Sequence, residues 1–369
     1  MAIYIHQLPH WPRFTWDAER LSLLLTNIRH QQGKLLGQME KTGFALQTEA
    51  TLQTLTLDVL KSSEIEGELL DAEQVRSSIA KRLGIEIAGL TNTDRHVEGI
   101  VEMMLDATQH FQEPLSNERI VGWHSSLFPT GRSGMHKIVV GAWRDNLPND
   151  PMQVVSGAMG KKKVHYEAPP SELLDDEMEK LLSWLNSTEN IDPLMKAAIA
   201  HLWFITIHPF DDGNGRIARA IADMLLARAD GTAKRFYSMS TQIRKERNAY
   251  YDVLEQTQKG NLDITVWLEW FLQCLNKALH ASEEILSSVL TKAAFWKRHE
   301  KTIFNQRQIV MLGKLLDGFE GKLTSSKWAQ ITRTSQDTAL RDIQDLISKN
   351  ILVKDDAGGR STGYKITTQ

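Results

Sequence analysis

The sequence predicts a mainly α-helical protein interrupted by one β-hairpin, and three observations carry that expectation. Apolar residues recur at three- and four-residue spacing through most of the chain, the mark of helices with one buried face. Two short β-branched runs stand together ahead of the densest cluster of polar chemistry. From Arg298 onward the helical segments shorten and a second strand pair closes the chain.

In chain order the helical pattern runs through Leu21–Leu36, Glu49–Leu60, Asp94–Thr108, Glu172–Leu185, Pro193–Ile207, Ile217–Ala229 and Ile264–Leu290. Between the third and fourth of these, MQVVSG (Met152–Gly157) and KVHYEAPP (Lys163–Pro170), joined by AMGKK, read as a hairpin closed by two prolines. A polar helix is expected around Ala281–Lys301. NQRQIVMLGKLL, SSKWAQIT and SQDTALRDIQDLISKNIL then give three short helices, and ILVKDDAGGRSTGYKIT a hairpin with a Gly-Gly turn. This order resembles a winged helix-turn-helix with Ser335–Asn350 as recognition helix. Asp337, Asp342 and Asp345 stand against Arg341 and Lys349 on that helix, a balance that disfavours tight binding to phosphates. Docking to protein or dimerisation is therefore read ahead of DNA recognition.

Bulk properties narrow the class. A chain of 369 residues has room for two or three domains of roughly 100–200 residues each. With 41% hydrophobic and 24% charged residues, disordered and fibrous classes are excluded. No basic head with an apolar core and cleavage site opens the chain, and no run of 18 apolar residues occurs. The single Cys274 cannot form an internal disulfide, which fits a reducing compartment. A cytoplasmic location without a membrane partner is expected. From Arg298 onward 12 Lys/Arg face 8 Asp/Glu, whereas the remainder carries 31 against 38, so a mildly basic end follows an acidic body.

The chemistry concentrates in HPFDDGNGRIAR, His208–Arg219, directly after the apolar HLWFITI. Gly213-Asn214-Gly215 tolerates positive φ just before an amphipathic helix, so successive backbone N–H groups can converge where the helix dipole is positive. That is an anion cradle. Arg216 and Arg219, three apart, share a face of the first turn and suit a polyphosphate. Asp212 at the rim can hold Mg²⁺, which takes one or two protein carboxylates and fills its shell with phosphate oxygens and water. Asp211 is expected to point elsewhere. His208, with an ordinary imidazole pKa of about 6.5, is the natural general base for a hydroxyl attacking phosphorus. Each residue alone reads as packing or a solvated face. Eight specified positions together arise by chance on the order of 10⁻¹⁰ per start site, which favours function.

His208, Phe210, Asp212, Gly213, Asn214, Gly215, Arg216 and Arg219 together resemble the complete signature of the Fic (Fido) family, HxFx[DE]GNGRxxR. The resemblance implies transfer of AMP from ATP to a Ser, Thr or Tyr hydroxyl of a target protein, or of the chain itself, with release of pyrophosphate. It implies His208 as base, Phe210 as loop anchor and Asp212 on Mg²⁺. Gly213, Asn214 and Gly215 would hold the α- and β-phosphates, and Arg216 and Arg219 the outer ones. Relatives that transfer phosphate carry Lys at the position of Gly215, so the α-phosphate is the expected electrophile. The hairpin is similar to the family's flap, which clamps the target by strand addition. Val164, His165, Tyr166 and Glu167 are then nucleotide contacts, and Tyr250 and Gln258 in RKERNAYYDVLEQTQKG are adenosine-site residues.

KSSEIEGELL, residues 61–70, places Ser62 and Glu66 four apart on one helical face, followed by Gly67, read as allowing close approach of another surface. It resembles the family's inhibitory motif [ST]xxxE[GN]. The implied contact is Glu66 on Arg219, which misaligns ATP, and some relatives use this glutamate to remove AMP. The expected organisation is an N-terminal helical region (1–113) bearing the brake, a catalytic core (114–275), a connecting helix (276–297) and a winged helix (298–369). A homodimer is compatible with it. The other functional reading is a DNA-binding regulator that uses nucleotide as a signal.

Overall fold

The computed structural model describes residues 3–87, 89–147, 149–157, 163–188, 190–319, 321–355 and 362–367, with only the backbone of residues 284 and 285. Among these the fold is mainly α. The helices are α1 (Ala18–Glu40), α2 (Phe44–Ile65), α3 (Ala72–Arg82), α4 (Arg95–Gln109), α5 (Asn117–Leu127), α6 (Leu174–Asn186), α7 (Pro193–Ile207) and α8 (Asn214–Asp230). They continue as α9 (Met239–Lys245), α10 (Arg247–Gln258), α11 (Thr265–Arg298), α12 (Gln306–Leu316), α13 (Ser325–Thr332) and α14 (Gln336–Ser348). Three antiparallel strand pairs accompany them: β1 (Arg132–Ser133) with β2 (His136–Lys137), β3 (Gln153–Ser156) with β4 (Lys163–Glu167), and β5 (Leu352–Asp355) with β6 (Gly363–Ile366). No helix among the described residues is long and apolar enough to cross a membrane.

The chain divides into two units, Met1–Ile85 with Thr91–Glu283, and Glu86–Leu90 with Glu284–Gln369. In the first, α7 is apolar on every side and buried along nearly its whole length, as expected of a central helix. Asp192 starts it by accepting from the Leu194 amide, and Pro193 occupies the first turn, where its missing N–H costs nothing. α8 packs along α7, with α2, α4 and α5 against α8 and α6 against α7. α8 stops at Gly231, which adopts φ 67° as a left-handed C-cap.

Several expectations need correction. The segments Ile264–Leu290 and Ala281–Lys301 form one helix, α11, because no Gly or Pro lies between them to break it. RKERNAYYDVLEQTQKG spans the end of α9 and all of α10. α3 and α5, at 11 residues each, are short and lie outside the expected helices; each is started by a side-chain cap, Asp71 on the Gln74 amide and Ser116 on the Arg119 amide. The AMGKK connection and the Gly-Gly turn lie outside the described residues.

In the second unit, Met311, Leu312, Trp328, Ala339, Ile343, Leu346, Leu352 and Tyr364 close a core beneath α12–α14 and the β5–β6 pair. The acids of α14 differ from their expected role. Asp342 is buried and accepts from Asn305 at 2.8 Å and from Arg307 at 2.6 Å, and Asp345 accepts from Gln308 and Lys349. Asp342 is thus taken up inside the unit, whereas the Asp345 side chain stays 45% exposed despite its partners and Asp337 is exposed.

Candidate active site

α7 ends at Ile207, and His208 follows it in the left-handed region at φ 52°, ψ 57°. For a non-glycine residue this conformation costs about 1–2 kcal/mol, so it persists only where neighbours hold it. The His208 amide still donates to Phe204 O at 3.0 Å. Its Nδ1 lies 3.2 Å from Ile205 O. A carbonyl only accepts, so the proton sits on Nδ1 and Nε2 keeps a free lone pair. Burial pushes the imidazole down to about 4, with Arg144 acting in the same direction and the Ile205 bond and Glu66 opposing it. His208 is therefore neutral at pH 7.

The loop between His208 and α8 is held through Phe210, Asn214, Asp211 and Asp212. Phe210 is buried and its ring stacks on His124 with centroids 3.9 Å apart. The Asn214 side chain accepts from the Phe210 amide at 3.0 Å and donates to Phe210 O at 2.7 Å. It closes the loop, which leaves its backbone N–H for any anion. Asp211 accepts from the Val139 amide at 2.9 Å, yet, against the expectation that it points elsewhere, it lines the same cleft as Asp212. Asp212 accepts from the Gly213 amide at 2.5 Å and from the Ser133 hydroxyl.

Gly213 sits at φ 84°, and a Cβ there would lie 2.9 Å from the Phe128 ring. Only glycine satisfies both demands. At Gly215 a Cβ would lie 2.1 Å from Glu66 Oε1, so the Glu66 carboxylate rests directly on the cradle. Arg219 is buried, donating from Nε to Ser62 Oγ at 2.9 Å and from Nη2 to Ser62 O at 2.8 Å and Glu66 Oε1 at 2.7 Å. Burial opposes its charge, yet Glu66 raises its pKa overall. Its Nη1 makes no hydrogen bond. Arg216 donates to Glu68 Oε2 at 3.0 Å, and Glu68 in turn pairs with His96. Arg216 Nε is likewise buried without a partner. Two orphaned guanidinium donors at a helix N-terminus are a binding capacity for an oxyanion that the chain itself leaves unfilled.

A cleft of about 510 Å³ brings these groups together. His208, Asp212, Gly213, Asn214, Gly215, Glu66, Tyr250 and Gln258 all line it. Ser62, Gly67, Arg216 and Arg219 stand outside the lining, the arginines directly behind it on α8. Of the four flap candidates, His165 and Tyr166 line the cleft and Val164 and Glu167 do not. Tyr166 is a core residue whose hydroxyl donates to Thr206 O at 2.6 Å, so it offers the cleft only its ring. His165 ties the flap to α10 through Glu255 at 2.5 Å and to Ser156 at 2.6 Å. Tyr250 is buried with its hydroxyl on His201 at 2.9 Å, and Gln258 bonds the Thr206 hydroxyl at 3.3 Å. Gly67 departs from its expected role: nothing lies within 4 Å of a Cβ built there, and its φ of 87° is what requires glycine. No sequence signal marked Gln153, Val154, Val155 and Ser156 of β3, or Arg247, Tyr251 and Glu255 of α10, all of which line the cleft.

Among the described residues no three His, Cys, Asp or Glu side chains converge to hold a metal. Asp212 alone suits a Mg²⁺ that takes one carboxylate and completes its shell with phosphate oxygens and water. The donor set thus fits an ion arriving with a polyphosphate and does not fit a resident one.

Comparison with known proteins gives two family matches, "Domain of unknown function (DUF4172)" over residues 4–85 and "Fic/DOC family" over residues 114–226. Among curated proteins, the chain is 27% identical over 255 residues to "Protein adenylyltransferase Fic" of Aedes aegypti, covering 68% of this chain and 46% of the relative. To the protein of the same name from Drosophila melanogaster it is 25% identical over 232 residues, 60% of this chain and 40% of the relative. The chain spans less than half the length of these relatives. Among solved structures, a Fic family protein from Desulfovibrio desulfuricans G20 matches with a TM-score of 0.53 at 20% identity, covering 98% of this chain and 99% of that one. A Fic domain containing signaling protein from Bacteroides thetaiotaomicron matches with a TM-score of 0.52 at 20% identity, covering 71% and 98%. These structures share the fold.

Proposed function

Because the chain belongs to the Fic/DOC family, through residues 114–226, we propose that it is a restrained protein adenylyltransferase that moves AMP from ATP to a Ser, Thr or Tyr hydroxyl of a protein and releases pyrophosphate. One observation carries the reading: a neutral imidazole with a free Nε2 lines the same cleft as a glycine-rich helix N-terminus backed by orphaned arginine donors. In this reading the hydroxyl proton passes to His208 Nε2 as oxygen attacks the α-phosphorus, and the bond to the pyrophosphate oxygen breaks. Backbone amides of 213–215 and the two guanidinium groups hold the phosphates, and most of the catalysis is positioning and charge neutralisation. Mg²⁺ on Asp212 would neutralise phosphate charge when bound. The flap, with Val155 and Val164 exposed, presents the target, and the β3 residues, His165, Tyr166, Tyr250 and Gln258 surround the adenosine.

Restraint comes from the end of α2. Glu66 takes the donor of Arg219 that would orient the γ-phosphate, with Ser62 bracing the same guanidinium and Gly67 turning the chain. Glu68 takes Arg216 in the same way. On this account residues 1–113 carry the brake, 114–275 the catalysis, 276–297 a connecting helix, and 298–369 a winged helix for docking or dimerisation. Glu66 can also serve removal of AMP.

Incubation with labelled ATP and Mg²⁺, with His208→Ala as control, tests the reading. Label that reaches protein in the Glu66→Gly chain and vanishes with His208→Ala supports it. No transfer, together with salt-sensitive duplex binding indifferent to His208→Ala, supports the DNA-binding regulator instead.

A further inference from the structure

Building on the reading of His208 as base, we propose that Arg144 is a positioning residue, whose buried guanidinium fixes the backbone of residues 207–209 and so the direction in which the imidazole meets the cleft. Arg144 is 2% exposed. Its Nε donates to His208 O at 2.8 Å, and its Nη2 to Pro169 O at 2.6 Å and more weakly to Ile207 O at 3.5 Å. Its Nη1 donates to Asn146 Oδ1 at 2.5 Å, and its own amide donates to Pro209 O at 2.9 Å.

Among the described residues no carboxylate forms an ion pair with this cation, and a buried charge without one is costly unless its donors are engaged. Arg144 engages each of its three guanidinium nitrogens on carbonyl and amide oxygens, four of the five N–H groups in all, and the choice of oxygens is informative. Ile207 and His208 supply carbonyls at the C-terminal end of α7, where the helix dipole is negative and the ladder has just been broken by the left-handed turn. Pro169 lies just past β4, so the same guanidinium joins the base of the flap to the residue that carries the imidazole. A lysine has one point of charge and cannot reach three carbonyls in separate directions, whereas the planar fork of arginine can. Without it the turn at His208 loses the bonds that offset its strain, and the imidazole is free to leave Ile205 O.

The test has two arms on the full chain. In the first, nuclear magnetic resonance of isotope-labelled histidine reads the His208 tautomer: the Nδ1–H form is expected in the wild type, and a mixture of tautomers in Arg144→Met. The second arm measures AMP transfer and ATP binding in the Glu66→Gly background. Arg144→Met is expected to lower kcat about 10- to 100-fold, the scale of a misplacement near 1 Å, with the Kd for ATP unchanged. Arg144→Lys should restore only part of kcat. If Arg144→Met does not fold, Arg144→Lys and Asn146→Ala, which removes the brace on Nη1, must show the same split. A folded variant that keeps both the single tautomer and full kcat overturns the proposal, as does a parallel loss of kcat, ATP affinity and melting temperature. Should the Glu66→Gly chain transfer nothing, the catalytic reading fails, and the tautomer arm alone still decides whether Arg144 positions His208.

Discussion

The two ends of α8 use the same chemistry, arginine against carboxylate, to opposite ends. Towards its C-terminus, Arg235 is fully buried and donates to Asp223 at 3.0 Å and Asp230 at 3.1 Å, both themselves 1% exposed as side chains. Burial pushes Asp223 and Asp230 up, and Asp58, brought in by α2 and accepting from the Ser238 hydroxyl, is raised well above its ordinary value by burial and then by Asp223. At the N-terminus Arg219 is equally buried, but its partner Glu66 keeps 29% of its side chain exposed. The difference lies in the acid. Where both partners are sealed, separation strands a charge; where the carboxylate reaches the surface, it can return to water and leave the arginine to another anion.

Breaking the sealed end should have the largest effect on the molecule. Arg235→Met leaves Asp223 and Asp230 buried without their cation and should cost about 3–5 kcal/mol in a urea titration. A loss under 1 kcal/mol would mean that the two ends do not differ in kind. Glu66→Gly tests the open end. It removes one charge-assisted bond, worth about 1.5–3 kcal/mol, from the state that competes with phosphate. AMP transfer should rise about ten- to hundredfold, while the nucleotide-free chain loses no more than the bond's worth of about 1.5–3 kcal/mol, less than at the sealed end. Unchanged or slower transfer would show that Glu66 is not a competitor for the γ-phosphate position.

Sequence reasoning reached the mouth of the cleft because its parts are contiguous or one helical turn apart. His208–Arg219 is a single run, and Ser62 in the last turn of α2 and Glu66, the residue that caps it, are four apart, so spacing alone brings them to one side of the helix end. What it missed is held by pairs distant in sequence: Arg144 to His208 across 64 residues, Ser133 to Asp212 across 79 and Glu68 to Arg216 across 148. Such pairs depend on how helices pack, which residue types do not report. Local rules also failed where a polar group had two places to go. Tyr166 turns its hydroxyl inward to Thr206 O, and Asp342 turns to Asn305 and Arg307, although both sit on elements whose pattern allows an outward role.

Glu68 offers a graded version of the open end. Its side chain is 33% exposed and shared between Arg216 and His96, so its hold on Arg216 is that of a partly solvated pair, about 0.2–1 kcal/mol. Glu68→Gln should therefore raise AMP transfer by only a few-fold and tighten ATP binding to the same extent. An effect as large as that of Glu66→Gly would mean that Arg216, not Arg219, is the limiting site.

The smallest expected effect is also the one with a fixed sign in pH. The Glu68 bond raises His96 above its ordinary value against the opposing effects of burial and Arg216, and Asp94 adds to the rise. Burial works against the charge of Glu68, but His96 and Arg216 outweigh it and lower its pKa. A raised histidine contributes stability fully below its unfolded value near 6.5 and loses it as pH climbs through the folded value. A lowered glutamate contributes above its unfolded value near 4.5 and loses it as pH falls through the folded one. The pair therefore stabilises most between about pH 4.5 and 6.5. Both side chains are about one-third exposed, so solvent screening keeps the contribution under about 1 kcal/mol. Melting curves of wild type and His96→Gln should separate most in that window and converge above it, as the imidazole loses its proton and the bond to Glu68 loses its charge. A gap that widened with rising pH would place the charge on some other group and return Glu68 to Arg216 alone.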